Sequence, residues 1–120
     1  MAKHYDLGIQ GEDFAASYLA SKGYKIIERN WRFGKDEIDI IAEHNNFLVV
    51  VEVKTRSTSY YGDPEEAVGD KKQRSIVRAA NEYVIRKEID LEVRFDIFTI
   101  IIDSGKQTVN HIEDAFYPTL

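Results

Sequence analysis

The sequence predicts an α/β fold whose elements follow the order αβββαβ, with a further short strand at the end. Near the start of the chain, Ala15, Tyr18 and Leu19 recur at helical spacing and form one apolar face. Residues 47–51 are five consecutive apolar residues, which indicates a strand buried on both faces. Only four residues, 43–46, separate this strand from the preceding one, so the two must be antiparallel neighbours.

The remaining elements are placed by apolar periodicity and by turn signals. We expect helices at 8–22 and 71–87, strands at 24–30, 37–42, 47–56 and 93–102, and a short edge strand at 108–112. Residues 57–63 are predicted to form a loop, and 63–66 a proline-containing helical start. Asp70, followed three residues later by Gln73, is predicted to cap the second helix.

The length and composition predict a single domain, residues 1–120, of a protein without disulfides. The absence of cysteine excludes thiolate zinc sites and a cysteine nucleophile. The longest apolar runs are far shorter than the roughly 20 residues that cross a bilayer, and the N-terminus has no apolar stretch of signal-peptide length. We therefore expect a cytoplasmic protein with no membrane association.

The net charge of −5 argues against nonspecific binding to a polyanion. Basic residues nevertheless gather in the stretches 22–35, 54–56 and 71–78, so a net-acidic chain can still present a basic face. For any single one of these stretches, a solvated helix face is the better explanation.

Glu52 and Lys54 directly follow the buried strand and project from the same face, about 7 Å apart along the chain. Burying ions is costly unless they are paired or hold a metal, so this pair is either a structural ion pair or a reaction centre. Counting outward from the turn near 45 places Asp39 opposite residues 51–52. Glu12 lies at the edge of the apolar face of the first helix, where a favourable charge near the helix N-terminus is an equally good explanation.

Two carboxylates opposite one another repel unless a cation lies between them, and such oxygen ligands suit Mg²⁺ or Mn²⁺. A carboxylate-held cation beside a lysine can cleave phosphodiester bonds, because the cation activates water while the lysine orients that water or stabilises the transition state. His4, His44 and His111 lie in terminal or turn positions and form no zinc or triad pattern.

At these residues the chain resembles the YraN-like bacterial proteins, which are related to archaeal Holliday-junction resolvases within the PD-(D/E)xK nuclease superfamily. The stretches that carry the resemblance are Gly8-x-x-Gly11-Glu12, Gly23-Tyr24, Arg29-Asn30-Trp31-Arg32, Glu37-Ile38-Asp39-Ile40-Ile41-Ala42, Val51-Glu52-Val53-Lys54-Thr55-Arg56, Lys72-Gln73, Arg94-Phe95-Asp96 and Asp114-Ala115-Phe116. One departure is visible. The family usually carries Gly directly before Glu-Ile-Asp, whereas Lys35 and Asp36 here separate Gly34 from Glu37, which predicts a turn of different shape.

The resemblance implies a restriction-endonuclease-like fold, with a mixed central sheet flanked by helices. It also implies roles for individual residues. Asp39 and Glu52 would be metal ligands with the Val53 carbonyl as a third, Lys54 the catalytic lysine, Glu12 an outer carboxylate, and Lys72 or Gln73 a phosphate contact.

Three hypotheses remain open from the sequence. The favoured one is a Mg²⁺-dependent endonuclease acting on duplex or branched DNA, for which a homodimer is one allowed arrangement. The second is a nucleic-acid-binding protein that keeps the fold without turnover, and the third is a structural protein in which Glu52 and Lys54 form only an ion pair. For the first hypothesis we expect Arg56, Lys72 and Arg74 to hold the DNA backbone beside the site.

Overall fold

Five strands form one mixed sheet, in the spatial order β1-β2-β3-β4-β5, with one helix packed on each face. The computed structural model describes residues 3–56 and 68–118. The elements are α1 (Lys3–Ser21), β1 (Lys25–Phe33), β2 (Asp36–His44), β3 (Phe47–Arg56), α2 (Asp70–Arg86), β4 (Glu92–Asp103) and β5 (Lys106–Phe116). The predicted α/β class and element order are confirmed, and the architecture is compatible with a restriction-endonuclease-like fold.

Strand β3 is the centre of the sheet, and its apolar run packs on both faces. Leu48 and Val50 lie in the core beneath α2, whereas Val49 and Val51 lie in the core beneath α1. The strand pairs antiparallel with β2 and parallel with β4, because the chain crosses over through α2 between β3 and β4. Neither described helix is both long enough and apolar enough to cross a membrane.

Several strand boundaries differ from the prediction. Strand β1 continues to Phe33 instead of ending at residue 30. The turn between β2 and β3 consists of two residues, Asn45 and Asn46, instead of the predicted four, 43–46. Both asparagines have positive φ, 50° and 67°, as a two-residue hairpin turn of this kind requires. Strand β5 is much longer than the predicted 108–112, because its pairing with β4 extends from Lys106 to Phe116 although most of its side chains are polar and exposed.

The start of α2 also differs from the prediction. The N-cap is Gly69 rather than Asp70, and no side chain of the described residues caps this end of the helix. Asp70 is already the first residue of α2, one position too late to cap it. Gln73 instead donates a side-chain hydrogen bond to the carbonyl of Val68 (2.9 Å). The predicted loop 57–63 and the predicted helical start 63–66 lie outside the described residues.

Candidate active site

The candidate site lies where the ladder between β2 and β3 stops. The paired positions extend from His44 and Phe47 to Ile40 and Val51. The next residues along the two strands are Asp39 and Glu52, as counting from the turn had predicted. Asp39 Oδ2 accepts a hydrogen bond from the backbone N–H of Val53 over 2.8 Å, so a side chain continues the connection between the strands beyond the ladder.

Strand β2 changes its orientation at Asp39. Ile38 packs in the core beneath α2, whereas Ile40 packs in the core beneath α1. In an uninterrupted strand, residues two apart share a face, so the alternation breaks between these isoleucines. On the neighbouring strand, Asn30 lies between the partners of Ile38 and Ile40 and has a positive φ of 53°. This irregularity coincides with the point at which the Asp39 carboxyl, rather than the β2 backbone, accepts the N–H of Val53.

Glu52 is buried and lies between two lysines. Its side chain is only 5% exposed, and its Oε2 is 3.4 Å from Nζ of Lys54 and 3.8 Å from Nζ of Lys72. The predicted proximity of Glu52 and Lys54 on one face of β3 is therefore present, and α2 adds a second lysine. The other oxygen, Oε1, is buried and has no hydrogen-bond donor among the described residues. A buried acceptor without a donor is costly, and here the hydrogen bond that the Asp39 and Glu52 carboxyls share offsets part of that cost.

The two carboxyl groups perturb each other. Burial is the largest cause that raises the pKa of Asp39, and the hydrogen bond from Val53 opposes it. Burial and then the charge of Asp39 raise the pKa of Glu52 to about 8, although Lys72 and Lys54 lower it. At neutral pH without a cation, the pair therefore retains a proton, because two buried carboxylates this close cannot both ionise at little cost.

Glu12 approaches the same site from α1. Burial and then the charge of Asp39 raise its pKa, so the two carboxyl groups interact electrostatically. Nη2 of Arg29, on β1, lies 3.9 Å from Oε1 of Glu12 and 2.8 Å from Oδ1 of Asp13. The neighbouring Gly11 is buried, and a Cβ there would overlap Oγ1 of Thr55 on β3. The absence of a side chain at residue 11 thus lets α1 lie directly on the strand that carries Glu52.

Comparison with known proteins identifies the family. The model of the family described as "Uncharacterised protein family UPF0102" matches residues 11–100. The chain belongs to UPF0102. This confirms the YraN-like resemblance, and the matched range includes Glu12, Asp39, Glu52 and Lys54.

Relatives of similar length support this membership. A UPF0102 protein of Phocaeicola vulgatus is 49% identical over 120 residues, covering 100% of this chain and 99% of that protein. One from Flavobacterium psychrophilum is 50% identical over 117 residues, covering 98% of each. One from Bacteroides thetaiotaomicron is 50% identical over 120 residues, covering 100% and 99%. These names state no activity.

The residues of this UPF0102 protein that are predicted to contact DNA do not all lie beside the Asp39–Glu52 pair. Lys72 contacts Glu52, whereas the side chain of Gln73 is bound to the Val68 carbonyl. Arg74 is exposed and lines a cleft on another side of α2. Arg56 ends β3 two residues after Lys54, and its Nη1 donates to the carbonyl of Thr55 (3.2 Å). Lys72 is thus the predicted contact that adjoins the carboxyl pair.

Asp36 is a residue that sequence reasoning left without a role. It opens β2 after the turn at Gly34 and is 7% exposed. Its Oδ1 accepts a hydrogen bond from Ser75 Oγ (2.6 Å), and its Oδ2 accepts one from Arg78 Nε (3.1 Å), both on α2. The sequence contained one indication of this role, because Lys35 and Asp36 are the two residues that separate Gly34 from Glu37. Asp36 fixes the helix that carries Lys72 against the strand that carries Asp39. The next residue, Glu37, forms a salt bridge between its Oε2 and Nε of Arg32 (2.9 Å).

Proposed function

We propose that this UPF0102 protein is a Mg²⁺- or Mn²⁺-dependent endonuclease that cleaves phosphodiester bonds of duplex or branched DNA. The observation that carries the proposal is the Asp39–Glu52 carboxyl pair at the end of the β2–β3 ladder, with Lys54 and Lys72 within 4 Å of Glu52. Acidic and basic groups that adjoin at the end of a core strand are costly to bury. The free-energy cost of burying these groups is explained if they act on a charged substrate.

The residues fit a divalent cation. Asp39 and Glu52 would hold it, with the Val53 carbonyl as a third oxygen ligand, and Oε1 of Glu52 has no hydrogen-bond donor beside it in the described part of the chain. Among the residues that the structure describes, no group of three or more His, Cys, Asp or Glu side chains could hold a metal, so backbone oxygen and water would complete the shell. When bound, such a cation lowers the pKa of water and offsets charge on the phosphate.

The chain's own side chains supply the remaining functions. Lys54 and Lys72 lie within 4 Å of Glu52 and oppose the rise in its pKa, and they are close enough to the site to bind the oxygens of a phosphate there. Lys54 is the candidate for stabilising the extra negative charge of the transition state, because it lies on the same strand face as Glu52. Glu12, which approaches Asp39 from α1, is the candidate outer carboxylate.

One experiment distinguishes the nuclease proposal from the two alternatives, a nucleic-acid-binding protein without turnover and a structural ion pair. Purified protein is incubated with labelled linear, flapped and four-way DNA in Mg²⁺, in Mn²⁺ or in EDTA. The proposal predicts cleavage with either cation and none in EDTA. Binding without cleavage would favour the nucleic-acid-binding alternative, and neither binding nor cleavage would favour a structural ion pair.

A matched variant excludes a contaminating nuclease. Asp39→Asn, purified in the same way, should lose the cleavage, whereas Asp13→Asn should retain it, because Asp13 is an exposed partner of Arg29. Equal cleavage by Asp39→Asn and the unaltered protein would reject the proposed site.

A further inference from the structure

Two clefts flank the first half of α2 and share the side chains of Asp70 and Arg78. The inner cleft includes Lys35, Asp36, Asp70, Lys71, Lys72 and Arg78. The outer cleft is lined by Asp70, Gln73, Arg74, Val77, Arg78 and Tyr117. Lys72 connects the inner cleft to the candidate active site, because its Nζ lies 3.8 Å from Oε2 of Glu52. We call the two adjoining clefts the basic path, which has Lys72 at one end and Tyr117 at the other.

This path is basic although the chain is acidic. Its charged side chains are five basic and two acidic residues, whereas the whole chain has a net charge of −5. Arg78 is held in place by Asp36 over 3.1 Å, yet its side chain remains 57% exposed. Basic groups arranged along a groove fit the phosphate backbone of a nucleic acid strand.

An exposed aromatic ring lies at the far end of the path. Tyr117 is 67% exposed, and its hydroxyl donates a hydrogen bond to Oδ2 of Asp114 (3.1 Å). The other large hydrophobic residues that are exposed in the described part of the chain are isoleucines, Ile9, Ile27 and Ile85. Tyr117 therefore offers a flat π-face, fixed at one end and open to a ligand, beside the basic residues Arg74 and Arg78.

We propose that Tyr117 stacks on an unpaired base of the bound DNA strand while the basic clefts hold the phosphates between that base and the active site. The inference rests on the proposed nuclease function and names its substrate class. Bases inside a duplex are already stacked on both faces, so away from the duplex ends a ring can stack only on a base that has left the helix. The substrates are thus DNA molecules in which single-stranded nucleotides adjoin a duplex, such as flaps, gaps and branch points.

The test compares two DNA probes in Ca²⁺, which prevents turnover: a blunt duplex and the same duplex with a single-stranded arm. Tyr117→Leu should weaken binding of the armed probe about fivefold or more and leave binding of the blunt duplex unchanged. Tyr117→Phe keeps the ring and should bind both probes like the unaltered protein. Because the side chain is exposed, neither variant should alter folding, which circular dichroism would check.

A second variant tests the phosphate path. Arg74→Gln should lower the dependence of binding on salt by about one unit for the armed probe. Lys106→Gln is the control, because Lys106 begins β5 at the end opposite Phe116 and Tyr117. Equal loss of both probes in Tyr117→Leu, or no loss of either, would overturn the stacking proposal even if metal-dependent cleavage persists. If the unaltered protein cleaves no DNA in Mg²⁺ or Mn²⁺, the proposed function itself fails.

Discussion

Oδ2 of Asp39 accepts a hydrogen bond from the backbone N–H of Val53 over 2.8 Å. It takes the place that a backbone carbonyl of β2 would have if the β2–β3 ladder continued. The same carboxyl group is the candidate metal ligand, so one side chain has both a structural and a chemical role. Asparagine can keep the first role, because its side-chain oxygen still accepts a hydrogen bond, but it removes the negative charge. Asp39→Asn therefore separates the two roles better than truncation to alanine does.

The first prediction concerns metal binding. Calorimetric titration of the unaltered protein with Mn²⁺ should show one site, because the Asp39–Glu52 pair relieves its mutual repulsion by binding a cation. Asp39→Asn should remove this site with little change in the free energy of unfolding. The control is Asp13→Asn, whose carboxylate is 63% exposed and paired with Arg29. Equal Mn²⁺ binding by Asp39→Asn and the unaltered protein would show that this pair is not the ligand set.

The second prediction separates catalysis from a structural ion pair. Lys54→Met should abolish cleavage while changing the free energy of unfolding by no more than about 1 kcal/mol. The methionine keeps an apolar stem of similar length, and Lys72 remains 3.8 Å from Glu52 as a counter-charge. Urea denaturation and the DNA cleavage assay measure the two effects, with exposed Lys106→Met as the control. Unfolding of Lys54→Met would support the structural hypothesis instead.

The fold and the carboxyl pair were predictable because local patterns determine them. The apolar run of β3 and the short turn before it fix the β2–β3 register, and this register alone brings Asp39 opposite Glu52. Lys54 follows from the two-residue period of the strand. By contrast, the contact between Lys72 and Glu52 depends on how α2 crosses the sheet, a long-range relationship that periodicity does not encode.

The opposite end of the sheet shows what local patterns miss. The histidines were expected to be scattered, yet His44 and His111 both pack against the ring of Tyr24, with centroids 3.9 Å and 5.7 Å from it. Beside them, Arg94 binds both oxygens of Asp96 and donates to the Tyr24 hydroxyl. These residues lie in or next to β1, β2, β4 and β5, so only the assembly of the whole sheet brings them together.

The third prediction concerns pH and Glu52. Burial and the charge of Asp39 raise the pKa of Glu52 from 4.5 to about 8 in the fold. A raised pKa means that the folded protein binds this proton more tightly than the unfolded chain does. The stabilisation is complete below about pH 4.5 and is lost as pH rises through about 8. In EDTA, Glu52→Gln should remove this part of the fall in unfolding free energy, whereas an unchanged pH profile would contradict the raised pKa.

The fourth prediction concerns the buried Arg94–Asp96 pair. Burial opposes ionisation of Asp96, but hydrogen bonds from His111, Arg94 and the backbone of Asp114 lower its pKa overall. Its stabilising contribution is therefore present above the unfolded pKa of about 3.8 and is lost as pH falls through the lower folded value. Asp96→Asn should cost about 3–5 kcal/mol, because it leaves the buried Arg94 with only the exposed carboxylate of Glu113 as a counter-charge.

Urea denaturation at neutral pH measures this cost. Glu113→Gln is the matched control, since Glu113 also contacts Arg94, at 3.2 Å, but is 59% exposed and should contribute less than about 1 kcal/mol. Equal destabilisation by the two variants would show that burial of Asp96 does not decide the contribution.

The last prediction concerns the contact between α1 and β3. A Cβ added at Gly11 would overlap Oγ1 of Thr55 and lie 3.0 Å from its Cβ, and both residues belong to regular elements that cannot shift independently. Gly11→Ala should therefore destabilise the protein by about 1–3 kcal/mol, despite the higher helix propensity of alanine, because overpacking forces the elements apart. The displacement would also move Glu12 relative to Asp39 and reduce cleavage. Thr55→Ala removes Oγ1, so combining the two substitutions should restore part of the stability. In a double-mutant cycle measured by urea denaturation, strictly additive effects would show that Gly11 is not required for close approach to Thr55.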